Sequence, residues 1–70
     1  MIVTVPYKML KDDITTVPNV EEKTIKYLRK KGCNTIEDVI DNEDKLAKKH
    51  FNHFKVKLIW ILLNIKVVKE

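Results

Sequence analysis

The segment from Phe54 to Ile65 constrains the fold more than any other part of this 70-residue chain. Apolar side chains occupy most of its positions, so a helix built from it is apolar around most of its circumference rather than along one stripe. Such a helix lies at the centre of a core or is covered by a partner. A chain of this length buries only roughly 60% of its unfolded surface, which leaves little material to cover the helix on every side.

Two interpretations of this apolar helix stay open. In the first, the N-terminal arm and a docked tail with Val67 and Val68 cover the extra apolar face. In the second, the face is an interface for a second copy of the chain or for another protein. The candidate interface residues are Trp60, Ile61 and Leu62, because a large aromatic side chain is a typical interface anchor.

Composition narrows the class of protein. Cys33 is the only cysteine, so the chain cannot form an internal disulfide, which favours a reducing compartment. A hydrophobic content of 44% argues against disorder. We find no paired catalytic carboxylates, no activated nucleophile and no Gly-rich phosphate loop in the sequence. We therefore expect a domain that is not an enzyme and needs no cofactor.

The apolar segments are too short to suggest a membrane protein. The N-terminal stretch, residues 1–6, has no preceding basic region and so does not resemble a signal peptide. The longest apolar run, residues 58–63, is far shorter than the roughly 20 residues that span a bilayer. We therefore expect a cytoplasmic protein without membrane contact.

The periodicity predicts an all-α fold, a compact bundle of four to five short helices with an extended N-terminal arm. Residues 1–14 form the arm and residues 15–70 the helical domain. The β-branched residues before Pro6 favour an extended arm or a short edge strand. A helical turn around residues 7–11 follows.

The first long helix is predicted over residues 20–31. Asn19 is a suitable N-cap, and Glu22 three positions later completes a capping-box pattern. Gly32, the only glycine, follows the helix and is suited to the left-handed conformation that ends it.

The later helices are predicted from polar residues that precede apolar, helix-periodic segments. Each of these residues has a short side chain that can accept a hydrogen bond from the first helical turn. Thr35, with Asp38 in a capping box, is predicted to cap a helix that ends near Asp41. Asp41 or Asn42 is predicted to cap the next helix, which ends near Lys49. Asn52 is predicted to cap a last helix over residues 53–64.

Residues 17–40 resemble a helix-hairpin-helix unit. That family reads apolar-Pro-Gly-apolar-Gly-x-Lys-Thr-Ala, then Leu, then Gly-Ile-x-Thr and an acidic-apolar pair. The chain has Val17-Pro18-Asn19-Val20-Glu21-Glu22-Lys23-Thr24, then Leu28, then Gly32-Cys33-Asn34-Thr35-Ile36-Glu37-Asp38-Val39-Ile40. A second, weaker hairpin lies around residues 51–57. Two such units in tandem resemble the C-terminal domain of the bacterial RNA polymerase α subunit, over roughly residues 12–66.

This resemblance implies a tandem helix-hairpin-helix (SAM-like) fold that binds double-stranded DNA without sequence specificity, with a link to transcription. Hairpins of this family present backbone N–H groups at a helix N-terminus to a phosphate, which positions the protein but reads no sequence. The positions that the resemblance implies as nucleic-acid-binding are Asn19, Lys23, Lys26, Asn52 and Lys55. The clustering of lysines along the first long helix adds Lys30 as a candidate phosphate contact.

Three further features bear on function. The formal net charge of +4 fits nucleic-acid binding but does not require it. Glu21 replaces a hairpin glycine and places a carboxylate where a phosphate would approach, which favours the alternative of a protein-interaction module of the same fold. His50 and His53 share a helix face, but no third ligand is near in sequence, so we expect no metal site.

Overall fold

The structure is a computed structural model that describes the backbone of residues 5–69 and the side chains of residues 5–63. The elements in chain order are α1 (Tyr7–Leu10), a 3₁₀ turn (Ile14–Thr16), α2 (Glu22–Lys30), α3 (Ile36–Asp41), a second 3₁₀ turn (Glu43–Lys45) and α4 (Lys48–Lys69). The described residues form four α-helices and no β-sheet, which confirms the all-α prediction. One of the four is long rather than short, because α4 has 22 residues.

Helix α2 ends where the sequence predicts and begins differently. Gly32 follows it with φ 85°, and the next N–H, that of Cys33, donates to Leu28 O at 2.8 Å. Asn19 also has a positive φ of 66°, a conformation that Asn tolerates better than most residues. The predicted cap at Asn19 is therefore wrong. Glu21 is the N-cap, without a side-chain capping bond.

Helix α3 has the predicted capping box. Thr35 Oγ1 accepts from the Asp38 N–H at 3.2 Å, and Asp38 Oδ2 accepts from the Thr35 N–H at 3.1 Å. Asp38 also accepts from the Asn34 N–H at 3.0 Å. These backbone donors, that of Asn34 first, lower the pKa of Asp38.

The predicted helix ending near Lys49 and the predicted cap at Asn52 are wrong. The Asn42 side chain donates back to Asp38 O at 2.7 Å and closes α3. Asn42 also precedes the 3₁₀ turn Glu43–Lys45, which ends before Lys49 and receives no side-chain capping bond from Asn42. Helix α4 starts before Asn52, because Ala47 O accepts from the His50 and Phe51 N–H groups at 3.1 and 3.0 Å. Asn52 is therefore an exposed residue inside α4.

The hydrophobic core lies between α4 and the three shorter helices. Cys33 is fully buried within it, and burial raises the pKa of its thiol. The other core residues are Ile14, Val17, Leu28, Ile36, Val39, Leu46, Phe51, Phe54, Leu58 and Leu62.

The described part of the arm is tied to this body. The predicted helical turn is present as α1, and Val5 and Met9 pack against the core. Asp12 O accepts from the Ile36 N–H at 3.0 Å. Residues 1–4 of the predicted arm, and the tail residues Val67 and Val68 as a covering layer, lie outside the described side chains. No helix in the described part of the chain has the length and apolarity that crossing a membrane requires.

Candidate functional site

The first candidate site is the hairpin surface, which we define as residues 19–26 together with His50 and His53. The chain reverses at Asn19 and enters α2, while the two histidines face this point from the first turns of α4. A cleft between the two elements is lined by Glu21, Lys23, Thr24, Lys49, His50 and His53. The structure thus brings Lys23 next to the start of α4.

The two predicted phosphate-binding lysines of the hairpin surface lie beside carboxylates. Lys23 Nζ is 4.0 Å from Glu21 Oε1, and Lys26 Nζ is 3.5 Å from Glu22 Oε1. Both lysine side chains are about three-quarters exposed, so these pairs are loose and screened by solvent. They nevertheless break the positive surface that the resemblance implies.

Two histidines of α4 form hydrogen bonds with polar groups at the start of α2. The Glu21 backbone N–H donates to His53 Nε2 at 3.1 Å. Thr24, only 1% exposed, shares a hydrogen bond of 3.2 Å between its hydroxyl and His50 Nδ1. The ring of Tyr27 stacks on that of His50 with centroids 4.3 Å apart. The Glu21 N–H at the hairpin is therefore already bonded within the chain.

The remaining predicted nucleic-acid residues are dispersed. Lys30 is exposed in the last turn of α2, and Asn52 is exposed on α4. Lys55 lies 6.0 Å from the Phe51 ring centroid and lines a different depression, with Ile40 and Leu58 among its neighbours. Residues two apart on a helix are turned by about 200° and so point in nearly opposite directions. Lys55 and His53 therefore lie on different sides of α4.

The second candidate site is the outer face of α4, which we define as Val56, Trp60 and Leu63. These side chains are 57%, 61% and 37% exposed. Their spacing of i, i+4 and i+7 places them in one row along the helix. The core residues Phe54 and Leu58 lie in the opposite direction, so α4 has two opposed apolar faces, and the residues that the structure describes cover only one of them.

The other two predicted interface residues, Ile61 and Leu62, do not lie on the outer face of α4. Leu62 is 9% exposed and belongs to the core, and Ile61 is half-buried and packed against the core. Both side chains point towards the core rather than along the outer face, because a step of one or two positions along a helix turns a side chain away from the direction of Trp60. Sequence reasoning missed Val56 and Leu63, although their spacing from Trp60 is visible in the sequence.

The surroundings of the outer face are positively charged. Lys57 Nζ lies 5.9 Å from the Trp60 ring centroid, a distance at which a cation and an aromatic face attract. Lys55 is exposed on the other flank. Residues 45–69 include seven lysines and no Asp or Glu, and Glu43 of the second 3₁₀ turn lines the same depression as Lys55.

The described residues hold no group of three or more side chains suited to a metal ion. No protein-family model, curated protein or solved structure matches the chain.

Proposed function

We propose that the chain is a non-catalytic docking domain that binds another protein through the outer face of α4. The observation that carries this proposal is the row of Val56, Trp60 and Leu63, exposed opposite the core on the longest helix. Exposed Trp at the centre of an apolar row is typical of an interface anchor. The three side chains have no role in the core, so binding accounts for their apolar character better than folding does.

The helix-hairpin-helix (SAM-like) class remains our proposal for the fold. It is supported by the left-handed Asn19 before α2 and by Gly32 after it, at positions where the family has turn residues. In this proposal the hairpin surface joins α2 to α4 and has lost the usual phosphate contact. The bond from the Glu21 N–H to His53 Nε2 supports that loss.

A photo-crosslinking amino acid placed at position 60 of the full chain, expressed in its native cell, tests the docking function. We expect one discrete protein adduct, and we expect the identified partner to bind the purified chain but not its Val56→Asp variant. The same crosslinker at position 26 on α2 is the matched control. No adduct at position 60, or equal adducts at both positions, would contradict docking through α4.

A second candidate function is binding to double-stranded DNA, as the resemblance implies. It is favoured by the N-terminus of α4, where Lys48 and Lys49 are exposed and the first turn carries no acidic residue. A helix N-terminus attracts anions, and Lys23 lines the adjoining cleft. A link to transcription would follow only from the family.

Fluorescence anisotropy with a labelled duplex tests this candidate. About four neutralised phosphates would give a slope of about −3 to −4 for log K against log salt concentration. Lys23→Glu/Lys49→Glu should then weaken binding more than the control Lys8→Glu/Lys57→Glu, which changes the charge equally. No binding at low salt, or equal losses for both variants, would count against DNA.

A further inference from the structure

We infer that the partner segment that docks on the outer face of α4 is an amphipathic helix whose apolar row is flanked by carboxylates. This inference rests on the proposed docking function and adds the chemistry of the partner. Its support is the shape of the outer face and the charge on both of its flanks.

The outer face has the dimensions of a helix-binding row. At 100° per residue, Val56, Trp60 and Leu63 fall within an arc of about 60°, and seven residues of rise separate the first from the last by about 10 Å. A second helix with apolar residues at i, i+3 or i+4, and i+7 matches such a row over two turns.

Each flank of the row carries a lysine, and on the Lys55 side Glu43 lines the same depression. Lys55 and Lys57 adjoin Val56 in sequence, so each lies about 100° to one side of it. Lys57 Nζ is also within 5.9 Å of the Trp60 ring centroid. A partner helix with Glu or Asp beside its apolar row would place opposite charges against both flanks, which favours association.

A second copy of the chain fits this surface poorly. Self-association through the outer face would bring the Lys55 and Lys57 flanks of both copies together, and like charges oppose binding. The described part of the N-terminal arm does not fill the position either. Val5 packs against the core beside Leu62, on the inner side of α4.

Trp60 is the only tryptophan of the chain, so its emission reports directly on the outer face. We would titrate the full chain with a synthetic helical peptide that carries Leu at the row positions and Glu on both flanks. The control is the same peptide with Lys on both flanks. We expect a blue shift of the Trp60 emission with the Glu peptide, and an affinity at least about tenfold higher than that for the Lys peptide.

Charge-reversed variants sharpen this test. Lys55→Glu/Lys57→Glu should reverse the preference, so that the Lys peptide binds at least about tenfold more tightly than the Glu peptide. Lys8→Glu/Lys30→Glu makes the same change in net charge on α1 and α2 and should keep the original preference. Circular dichroism checks that each variant is folded.

The outcomes separate the partner's chemistry from docking itself. If both peptides shift the emission equally, docking stands and the acidic partner is wrong. If neither peptide shifts it, both the inference and the docking function are overturned. A shift that grows with protein concentration alone would indicate self-association. A shift with phosphatidylglycerol vesicles but with neither peptide would indicate a lipid surface. Either result would overturn the inference.

Discussion

The hairpin surface and the outer face of α4 differ in what their side chains contact. On the hairpin surface, His53 accepts from the Glu21 N–H and His50 bonds to Thr24. On the outer face, Val56 and Trp60 are more than half exposed, and the nearby lysines have no carboxylate within their segment. Polar residues in a binding-type pattern thus bond within the fold, whereas apolar residues of α4 outside the core stay exposed.

The largest expected effect comes from substitutions on the two faces of α4. Phe54→Ala should cost about 3–5 kcal/mol, because the Phe54 side chain is fully buried. A 70-residue domain has a free energy of unfolding of only about 4–10 kcal/mol, so this variant should be largely unfolded or close to it. Trp60→Ala should change the stability by less than about 0.5 kcal/mol. Urea denaturation measures both.

If Trp60→Ala were as destabilising as Phe54→Ala, the outer face would be part of the folded core. The outer face would then serve the fold, as the hairpin surface does. A loss of peptide binding without a loss of stability would instead show that Trp60 serves binding alone.

The next effect concerns the bond that joins α2 to α4. Thr24→Val keeps the size of the side chain but removes the hydroxyl from His50 Nδ1, and we expect a loss of about 1–2 kcal/mol. The reverse change on the outer face, Val56→Thr, should stay within about 0.5 kcal/mol because that side chain is exposed. Thermal unfolding of both variants provides the measurement. Equal effects would mean that the hydroxyl of Thr24 contributes nothing particular to the fold.

A smaller effect is expected at the left-handed residue of the hairpin surface. Asn19→Ala should cost about 1 kcal/mol, because Ala tolerates a φ of 66° poorly. Asn19→Gly should be close to neutral, since glycine adopts this conformation without steric strain. Chemical denaturation distinguishes the two. If Asn19→Gly also bound duplex DNA with a steep salt dependence, the hairpin surface would regain a binding role.

The features that sequence predicted correctly are local. The capping box of Thr35 and Asp38 and the helix stop at Gly32 depend on atoms within a few residues of each other. In each case nearby chemistry decides the outcome, so the sequence contains the necessary information.

The features that it missed depend on contacts between distant segments. Asn52 has a good capping side chain, but α4 already begins at Lys48, so Asn52 lies inside the helix. Leu62 and Trp60 are both large apolar residues, and only the packing of the shorter helices decides which of them is covered. His53 meets Glu21 across 32 residues of sequence, and no periodicity reports such a contact.

The smallest expected effect is the pH dependence of an ion pair outside both surfaces. Asp13 accepts from the Thr15 hydroxyl and N–H, and its Oδ2 lies 2.8 Å from Arg29 Nη2. These contacts, those from Thr15 first, lower the pKa of Asp13 from 3.8 to about 2. A lowered pKa in the folded state stabilises the protein above pH 4, and this contribution is lost as the pH falls from about 4 towards 2.

Asp13→Asn should therefore lower the melting temperature slightly at neutral pH and make it less sensitive to acid between pH 4 and 2. Asp41→Asn is the matched control, because Asp41 makes no side-chain hydrogen bond or ion pair among the described residues, and it should leave the acid sensitivity unchanged. Neither variant should alter the Trp60 emission, since the two carboxylates lie outside α4. A shift of that emission with Asp13→Asn would instead show that the ion pair and the outer face of α4 are coupled through the fold.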